Sequence, residues 1–335
     1  MTKKVISALA FSLLAAGAMA QEQEQQAAPE AEGEKIVITG QRPGPGLWKV
    51  YKGEHVMWVF GKYGPLPKKM EWRSHEVESI LGKSQEYLSE PGAHAGVGVW
   101  GGIKLLAALP SLWNLQHNPN GAKLQDVVPP ETYARWLALK EKYIGNDKDV
   151  ENYRPIFAAS TLYESGLQRI GLSAKDEVRP AIEKLVKRAG IKVTSSDVSV
   201  NLSDAGTAVK EFRQTSLDDA ACFATTLAQM EGDIDHMRVR ANAWAVGDIE
   251  TIRKLDFGDR ESACKAALQN SAPVQSRPEL VATIAKSREL WLANAEKALE
   301  NNSSTFAVLK MNDILAKDGL LAALQARGYR VEAPE

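Results

Sequence analysis

The densest group of metal-ligating side-chain types in the 335-residue sequence is an acidic run that ends in a histidine: Glu231, Asp233, Asp235 and His236. Carboxylate oxygens at this density suit a hard divalent cation. A solvated loop between two helices explains the same run, and it is the interpretation that we favour. The other four histidines are scattered, and the sequence contains no His-x-x-x-His or Cys-x-x-Cys pair. Spacing alone therefore predicts no metal site.

Two other motifs carry possible chemistry. Ser262 and Lys265 form a Ser-x-x-Lys pair, but the motifs that accompany it in serine enzymes are absent, as is a Gly-x-Ser-x-Gly turn. Gly96, Gly98 and Gly101 match a dinucleotide-binding pattern, which requires a strand before the glycines. Because the preceding residues 90–95 (EPGAHA) do not resemble a strand, we expect a flexible turn. Neither a serine hydrolase nor a nicotinamide enzyme is predicted.

The N-terminus carries an export signal. Lys3 and Lys4 precede an apolar run over residues 5–17, and Ala18-Met19-Ala20 provides the small-x-small cleavage pattern. The alternative, a membrane anchor, needs about 20 apolar residues. We therefore expect residues 1–20 to be a signal peptide and the protein to be periplasmic or secreted. Residues 21–45 read as a flexible acidic and Pro-Gly linker, and residues 46–335 as a single domain without a membrane span.

Export implies an oxidising compartment, and the chain has two cysteines, Cys222 and Cys264. The even number and the compartment predict a disulfide bond. A catalytic thiol is the alternative, but no histidine partner can be placed by spacing. Closing a loop of about 40 residues should stabilise the fold by about 3–4 kcal/mol.

Charge excludes one class of partner. Residues 36–335 carry 38 basic and 37 acidic side chains, so the domain is almost neutral. A nearly neutral domain lacks the basic surface that binds phosphate backbones, which argues against nucleic-acid binding.

Several elements must position any site. Leu47–Tyr51 and His55–Phe60 predict a hairpin whose second strand is buried on both faces. Apolar spacing predicts helices over Trp72–Leu88 and after Pro130, where Tyr133, Trp136, Leu137 and Tyr143 form a stripe. Capping patterns at Ser173, Ser216 and Ser276 predict three more helices, the first ending at Gly190 and kinked or shortened by Pro180. Residues 306–331 read as strand, helix, strand.

Strands at both ends with helices between them predict an α/β fold. We expect a single domain whose central sheet is formed by N-terminal and C-terminal strands and is surrounded by many helices.

Segments at both ends resemble the TraB/GumN family. The first comprises residues 46–50 (GLWKV), 56–61 and 65–68 (PLPK); the second comprises Phe306-Ala307-Val308, residues 318–321 (DGLL) and residues 324–331 (LQARGYRV). Between them, residues 244–248 (WAVGD) and a helix with Arg288 and Trp291 fall where such proteins have comparable features. The resemblance spans residues 46–334.

The resemblance implies a relation to metal-dependent hydrolases and proteases that use two Gly-x-x-His motifs and a glutamate. This sequence departs from both motifs. Gly64 stands where the first histidine would be, after Gly61-Lys62-Tyr63, and Asp313 stands where the second would be, after Lys310. The glutamate has a counterpart in Glu90, for which an exposed loop acid is the alternative. Glycine offers no ligand atom. A site with one or two carboxylates alone binds zinc less well than a site with two imidazoles and a carboxylate.

Three hypotheses follow. The first is a degenerate, non-catalytic exported protein that binds a small ligand or an envelope protein and holds no cofactor; Glu90→Gln should then leave stability nearly unchanged. The second is a metal-dependent hydrolase in which Glu90, Asp313 and a relocated ligand, such as His75 or Glu76 near Arg73 and Ser74, hold a divalent ion. The third is an accessory protein in envelope polysaccharide biogenesis. A binding patch would draw on Trp100, Leu112 and Trp113, which are more often core residues.

Overall fold

The structure is a computed structural model, and it describes residues 45–68, 70, 75–96, 115–201, 205–232, 234–254 and 260–334. The predicted signal peptide, most of the predicted linker, and the residues Arg73, Ser74, Trp100, Leu112 and Trp113 lie outside the described residues.

Eight strands and a set of helices make up the described chain. The strands are β1 Leu47–Lys52, β2 His55–Lys62, β3 Leu66–Pro67, β4 Glu86–Gly96, β5 Leu172–Ser173, β6 Lys192–Asn201, β7 Ser304–Lys310 and β8 Arg330–Glu332. The helices are α1 His75–Lys83, α2 Leu124–Val127, α3 Pro130–Tyr143, α4 Pro155–Arg169, α5 Arg179–Ala189, α6 Ala205–Gln214, α7 Ala220–Gly232, α8 Ile234–Ala245, α9 Ile249–Lys254, α10 Arg260–Gln269, α11 Ala272–Gln275, α12 Pro278–Asn301, α13 Met311–Leu315 and α14 Leu320–Ala326. Two short 3₁₀ turns occupy Pro119–Gly121 and Asp149–Asn152.

The predicted fold class is confirmed. Six strands form one mixed sheet in the order β6-β4-β7-β2-β1-β8, and β3 pairs with β5 separately. The strands β6, β4, β7 and β2 run parallel, whereas β1 is antiparallel to both of its neighbours. The N-terminal strand β2 therefore lies between the C-terminal strand β7 and its own hairpin partner β1, which explains why both of its faces are apolar.

The predicted helix over Trp72–Leu88 is wrong in its second half. Helix α1 ends at Lys83, and Gln85 then donates its backbone N–H to Ser304 O at 2.9 Å. The chain turns there into β4, which pairs with β7 and β6. The expectation that residues 90–95 are not a strand is also wrong, because sheet pairing overrides the weak strand propensity of Pro91 and Gly92. A register shift between Leu88 and Pro91 accommodates the proline.

The other predicted elements are confirmed, with shifted ends. Helix α5 ends as predicted at Gly190, which has φ of 65°, but it begins at Arg179, so Pro180 lies in its first turn. The helices expected after Ser216 and Ser276 are α7 and α12. In α3, Trp136 and Tyr143 are buried as expected, whereas Leu137 is 44% exposed. The terminal strand, helix and strand are β7, α14 and β8.

Two main apolar clusters hold the described chain together. The larger covers the sheet and includes Trp48, Phe60, Trp244, Trp291 and Phe306, all nearly or fully buried. The second lies among α3, α4 and α7 and includes Trp136, Leu162 and Phe223. Within the described ranges, no helix combines the length and the apolar character needed to cross a bilayer.

The predicted disulfide bond is confirmed: Cys222 of α7 is joined to Cys264 of α10. Cys222 is fully buried, in a small cluster with Ile156 and Ala267. The bond thus fixes α10 against α7 and closes a loop of 42 residues.

We expect the double variant Cys222→Ala/Cys264→Ala to lose about 3–4 kcal/mol of unfolding free energy, because the unfolded chain regains the entropy of the open loop. Urea unfolding at pH 7 measures the loss. Dithiothreitol should destabilise the wild type and leave the variant unchanged. Two thiols that alkylate freely in unreduced native protein would contradict the prediction.

Candidate functional site

The two segments that the resemblance matches to Gly-x-x-His motifs, called the degenerate motifs from here on, lie side by side at one edge of the sheet. The parallel register of β2 and β7 pairs Gly61 with Leu309 and Lys62 with Lys310. Gly64 and Asn312, which follow these strands, line the same cavity of about 280 Å³. Because parallel strands present their carboxyl ends at one edge, the segments carrying the resemblance converge there.

Asp313 has a different partner from the one expected. Its Oδ1 accepts a hydrogen bond from Arg288 Nη1 at 2.7 Å, and Arg288 Nη2 donates to Asp318 O at 3.0 Å. The arginine therefore joins α13 to the turn before α14. Among the described residues that line the motif cavity, Asn312 is present and Asp313 is not. The Asp313 carboxylate instead binds Arg288 and so fixes this turn.

Glu90 is a buried strand residue, not the exposed loop acid that was the alternative. It is 8% exposed and lies on β4 at the register shift between Leu88 and Pro91. A local irregularity of this kind redirects a side chain. Glu90 Oε1 accepts a hydrogen bond from Lys62 Nζ at 2.6 Å and another from Arg179 Nη2. One carboxylate oxygen therefore has two cationic donors.

Lys62 continues the chain of charges. Its Nζ also lies 2.5 Å from Asp176 Oδ2, and Asp176 Oδ1 accepts the backbone N–H groups of Val178 and Arg179 at the start of α5. The four side chains Arg179, Glu90, Lys62 and Asp176 are called the ionic cluster below. It contains two cations and two anions, so its formal charge is zero.

Burial and pairing act oppositely on these groups. Burial lowers the pKa of Lys62, while its hydrogen bond to Asp176 works in the other direction. For Asp176, burial alone would raise the pKa, but hydrogen bonds from Lys62 and from the backbone outweigh it, and the net pKa is lowered. Asp176 is therefore held as a carboxylate at neutral pH.

A second, larger cavity of about 550 Å³ adjoins the ionic cluster. Lys62 lines both cavities, so the two meet at its side chain. The larger cavity is bounded by Tyr87 and Glu90 of β4 and by α5 and β6. Burial raises the pKa of Tyr87 to about 12, so its hydroxyl stays neutral. A volume of this size matches small-molecule sites.

The strand end that carries Lys62 is held rigidly. A side chain at Gly61 would collide with Trp48 and Met311, each 2.9 Å from the added carbon. The Gly61 carbonyl accepts a hydrogen bond from buried Trp244 Nε1 at 2.7 Å. Trp244 belongs to the WAVGD segment of the resemblance, which thus supports the motif strand from behind.

The other candidate residues lie elsewhere. His75 and Glu76 are exposed at the start of α1 and line neither cavity. The described part of the acidic run is helical and not a loop. Glu231 lies in the last turn of α7, which ends at Gly232, and Asp235 and His236 lie in the first turn of α8, which begins at Ile234; Asp233 lies outside the described residues. Glu231 is paired with Arg135 at 2.6 Å. Ser262 and Lys265 are exposed on α10.

The residues at the strand ends do not fit a divalent metal ion. Glu90 is the counterpart of the expected ligand, but two cations already bind its carboxylate. Within the described ranges, no three His, Cys, Asp or Glu side chains converge in a geometry suited to a metal. The residues that decide this, Lys62 and Arg179, were missed by sequence reasoning. Lys62 stood inside the degenerate motif, whereas nothing in the sequence pointed to Arg179.

Replacing Glu90 by Gln is now expected to destabilise the protein, in contrast to the expectation from an exposed acid. The change leaves buried Lys62 with one anionic partner, and breaking a buried pair in this way costs about 3–5 kcal/mol. Urea unfolding at pH 7 measures it. Glu183→Gln, at an exposed acid on α5 lining the same cavity, is the matched control and should change stability by about 0.5 kcal/mol or less. Equal effects of the two variants would contradict the prediction.

The lowered pKa of Asp176 gives a pH dependence. A carboxyl group whose folded pKa lies below its unfolded value of about 3.9 stabilises the fold above that pH and loses the contribution as pH falls through the folded pKa. Wild type should therefore exceed Asp176→Asn in unfolding free energy at pH 7, and the difference should shrink below about pH 4. The same comparison in a Lys62→Met background should give a smaller difference. A difference that is constant from pH 7 to pH 3 would refute this.

Comparison with known proteins identifies a family. The sequence profile of the TraB/PrgY/gumN family matches residues 46–333, a range that includes the eight strands of the described residues and both degenerate motifs. No curated protein and no solved structure matches the chain. Since the family profile covers most of its length, the chain belongs to the TraB/PrgY/gumN family.

Proposed function

We propose that this protein is an exported, non-catalytic member of its family that binds a small ligand or an envelope partner in the cleft at the carboxyl ends of the parallel strands. One observation carries the proposal: the Glu90 carboxylate is bound by Lys62 and Arg179. Glu90, the acid that the resemblance matches to the family's glutamate, is thus bound by two cations of the protein itself.

Charge explains why metal hydrolysis is disfavoured. A divalent ion at Glu90 would lie beside an ammonium and a guanidinium group, which both already bind the Oε1 atom of the same carboxylate. Lys310, paired in register with Lys62 and 3.5 Å from Glu261, places a third cation at this edge. Each cation repels a metal ion, and the interaction is strong where water is scarce. The alternative hydrolase with relocated ligands gains no support from His75 or Glu76, which are exposed away from the cleft.

Binding is favoured because the chain has a cleft at the strand ends, although it lacks the two histidines that the resemblance implies as metal ligands. The larger cavity has a volume suited to a small molecule and mixes apolar walls with polar groups. Its polar end is arranged by the ionic cluster, which is preorganised by strand pairing and by the start of α5. A site built on such rigid elements holds its geometry without a metal.

Export is supported by two independent features of the chain. The first is the N-terminal pattern of two lysines, an apolar run and a small-x-small end. The second is the bond between Cys222 and Cys264, which persists in oxidising compartments. We infer a periplasmic or secreted location from both.

The metal content of the purified protein tests the proposal. After incubation with zinc, manganese or cobalt and desalting, we expect well below one ion per chain, because Lys62 and Arg179 occupy the Glu90 carboxylate. A zinc enzyme carried through the same desalting shows that a tight site survives the procedure. A stoichiometric ion that is lost in Glu90→Gln would overturn the proposal and support a metal-dependent hydrolase.

A further inference from the structure

We propose that the ligand of the larger cavity is a neutral amphiphile: an apolar chain or ring that carries hydroxyl or amide donors. This inference rests on the proposed function and adds the chemical class of the ligand. It draws on the apolar side chains that line the cavity, on the balance of charges around it, and on the Glu90 Oε2 atom, which has no hydrogen-bond partner among the described residues.

Apolar side chains from four places line the cavity. They are Ile182 and Val186 of α5, Ile191 just before β6, Val193 of β6 and Val308 of β7. Val193 is 57% exposed, which is the largest exposure among the described large apolar residues. An apolar surface held open at the rim of a cavity is stabilised when a ligand covers it.

The charges around the cavity cancel. Three cationic side chains, Lys62, Arg179 and Lys187, face three anionic ones, Glu90, Glu183 and Asp197. The deepest of them, Lys62 and Glu90, are paired with each other. An ionic head group would lose its hydration on entering the cavity. Since every charge around the cavity has an opposite charge near it, nothing would compensate for that loss, and binding would be unfavourable. A neutral head group avoids that cost.

The Glu90 carboxylate favours a donor. Its Oε1 accepts hydrogen bonds from two cations, whereas its Oε2 is buried and has no hydrogen-bond partner among the described residues. A buried acceptor without a donor is costly, so a ligand hydroxyl or amide N–H that reached it would be favoured. Oε2 is shielded from solvent, and the neighbouring Arg179 side chain, which binds Oε1, is 52% exposed; the proposal requires that side chain to move when a ligand donor reaches Oε2.

Four probes test the inference by isothermal titration of the purified protein. Hexyl β-D-glucoside is the neutral amphiphile; hexylammonium and hexanoate carry the same chain with opposite charges; methyl β-D-glucoside carries the same head without the chain. We expect hexyl glucoside to bind about tenfold or more tightly than each of the other three. Equal binding of a charged probe would overturn the neutral head group. Equal binding of methyl glucoside would overturn the apolar chain and indicate a free sugar.

Two exposed valines provide a matched pair of variants. Val193→Ser removes apolar wall at the cavity and should weaken hexyl glucoside binding about threefold to tenfold. Val281→Ser, on α12 at 42% exposure and outside the lining of this cavity, should leave binding unchanged. Because both sites are exposed, neither change should prevent folding. Equal effects of the two variants would overturn the assignment of the wall.

Metal content measured on the same samples separates the two proposals. A metal-free protein that binds none of the probes overturns this inference and leaves the proposed function standing. A stoichiometric metal ion overturns the proposed function, and the inference that rests on it falls too.

Discussion

The parallel pairing of β2 with β7 is the constraint on which the rest of the site depends. It joins β2, which begins at His55, to β7, which ends at Lys310. The register of the pair sets Lys62 beside Lys310. Since β4 lies on the other side of β7, Glu90 reaches the same edge. Gly61 permits the close packing behind this pair, and Trp244 binds its carbonyl. The strand order thus brings Lys62 and Glu90 together, and the start of α5 adds Asp176 and Arg179.

The ionic cluster changes what the strand ends can do. In a metal site, a carboxylate next to two imidazoles attracts a divalent ion. Here the positive charge beside the Glu90 carboxylate belongs to the chain itself, from a lysine of β2 and an arginine of α5. Buried ion pairs of this kind add little net stability over apolar contacts, but they are costly to break on one side. Their effect is to fix geometry, which suits binding.

Much of the fold was predictable because its signals are local. The hairpin of β1 and β2, the strand-helix-strand end of the chain and the turn at Gly190 follow from alternation, periodicity and glycine placement. Strand β4 was not predictable, since Pro91 and Gly92 disfavour a strand and only pairing with β6 and β7 makes one. Glu90 was found through the family resemblance, yet its partners were not. Arg179 lies 89 residues away along the chain, and no spacing rule links such positions.

The same β2 to β7 pairing governs when the molecule can fold. Val56 pairs with Ser304, so the centre of the sheet has to wait for the last tenth of the chain. Contacts between such distant segments require closure of a very long loop, and proteins dominated by them fold slowly. During synthesis the β1–β2 hairpin would form early and keep one edge unpaired until β7 arrived. The sheet of a nascent chain of this design stays incomplete through most of translation, and its unpaired strands are accessible to chaperones and to proteases.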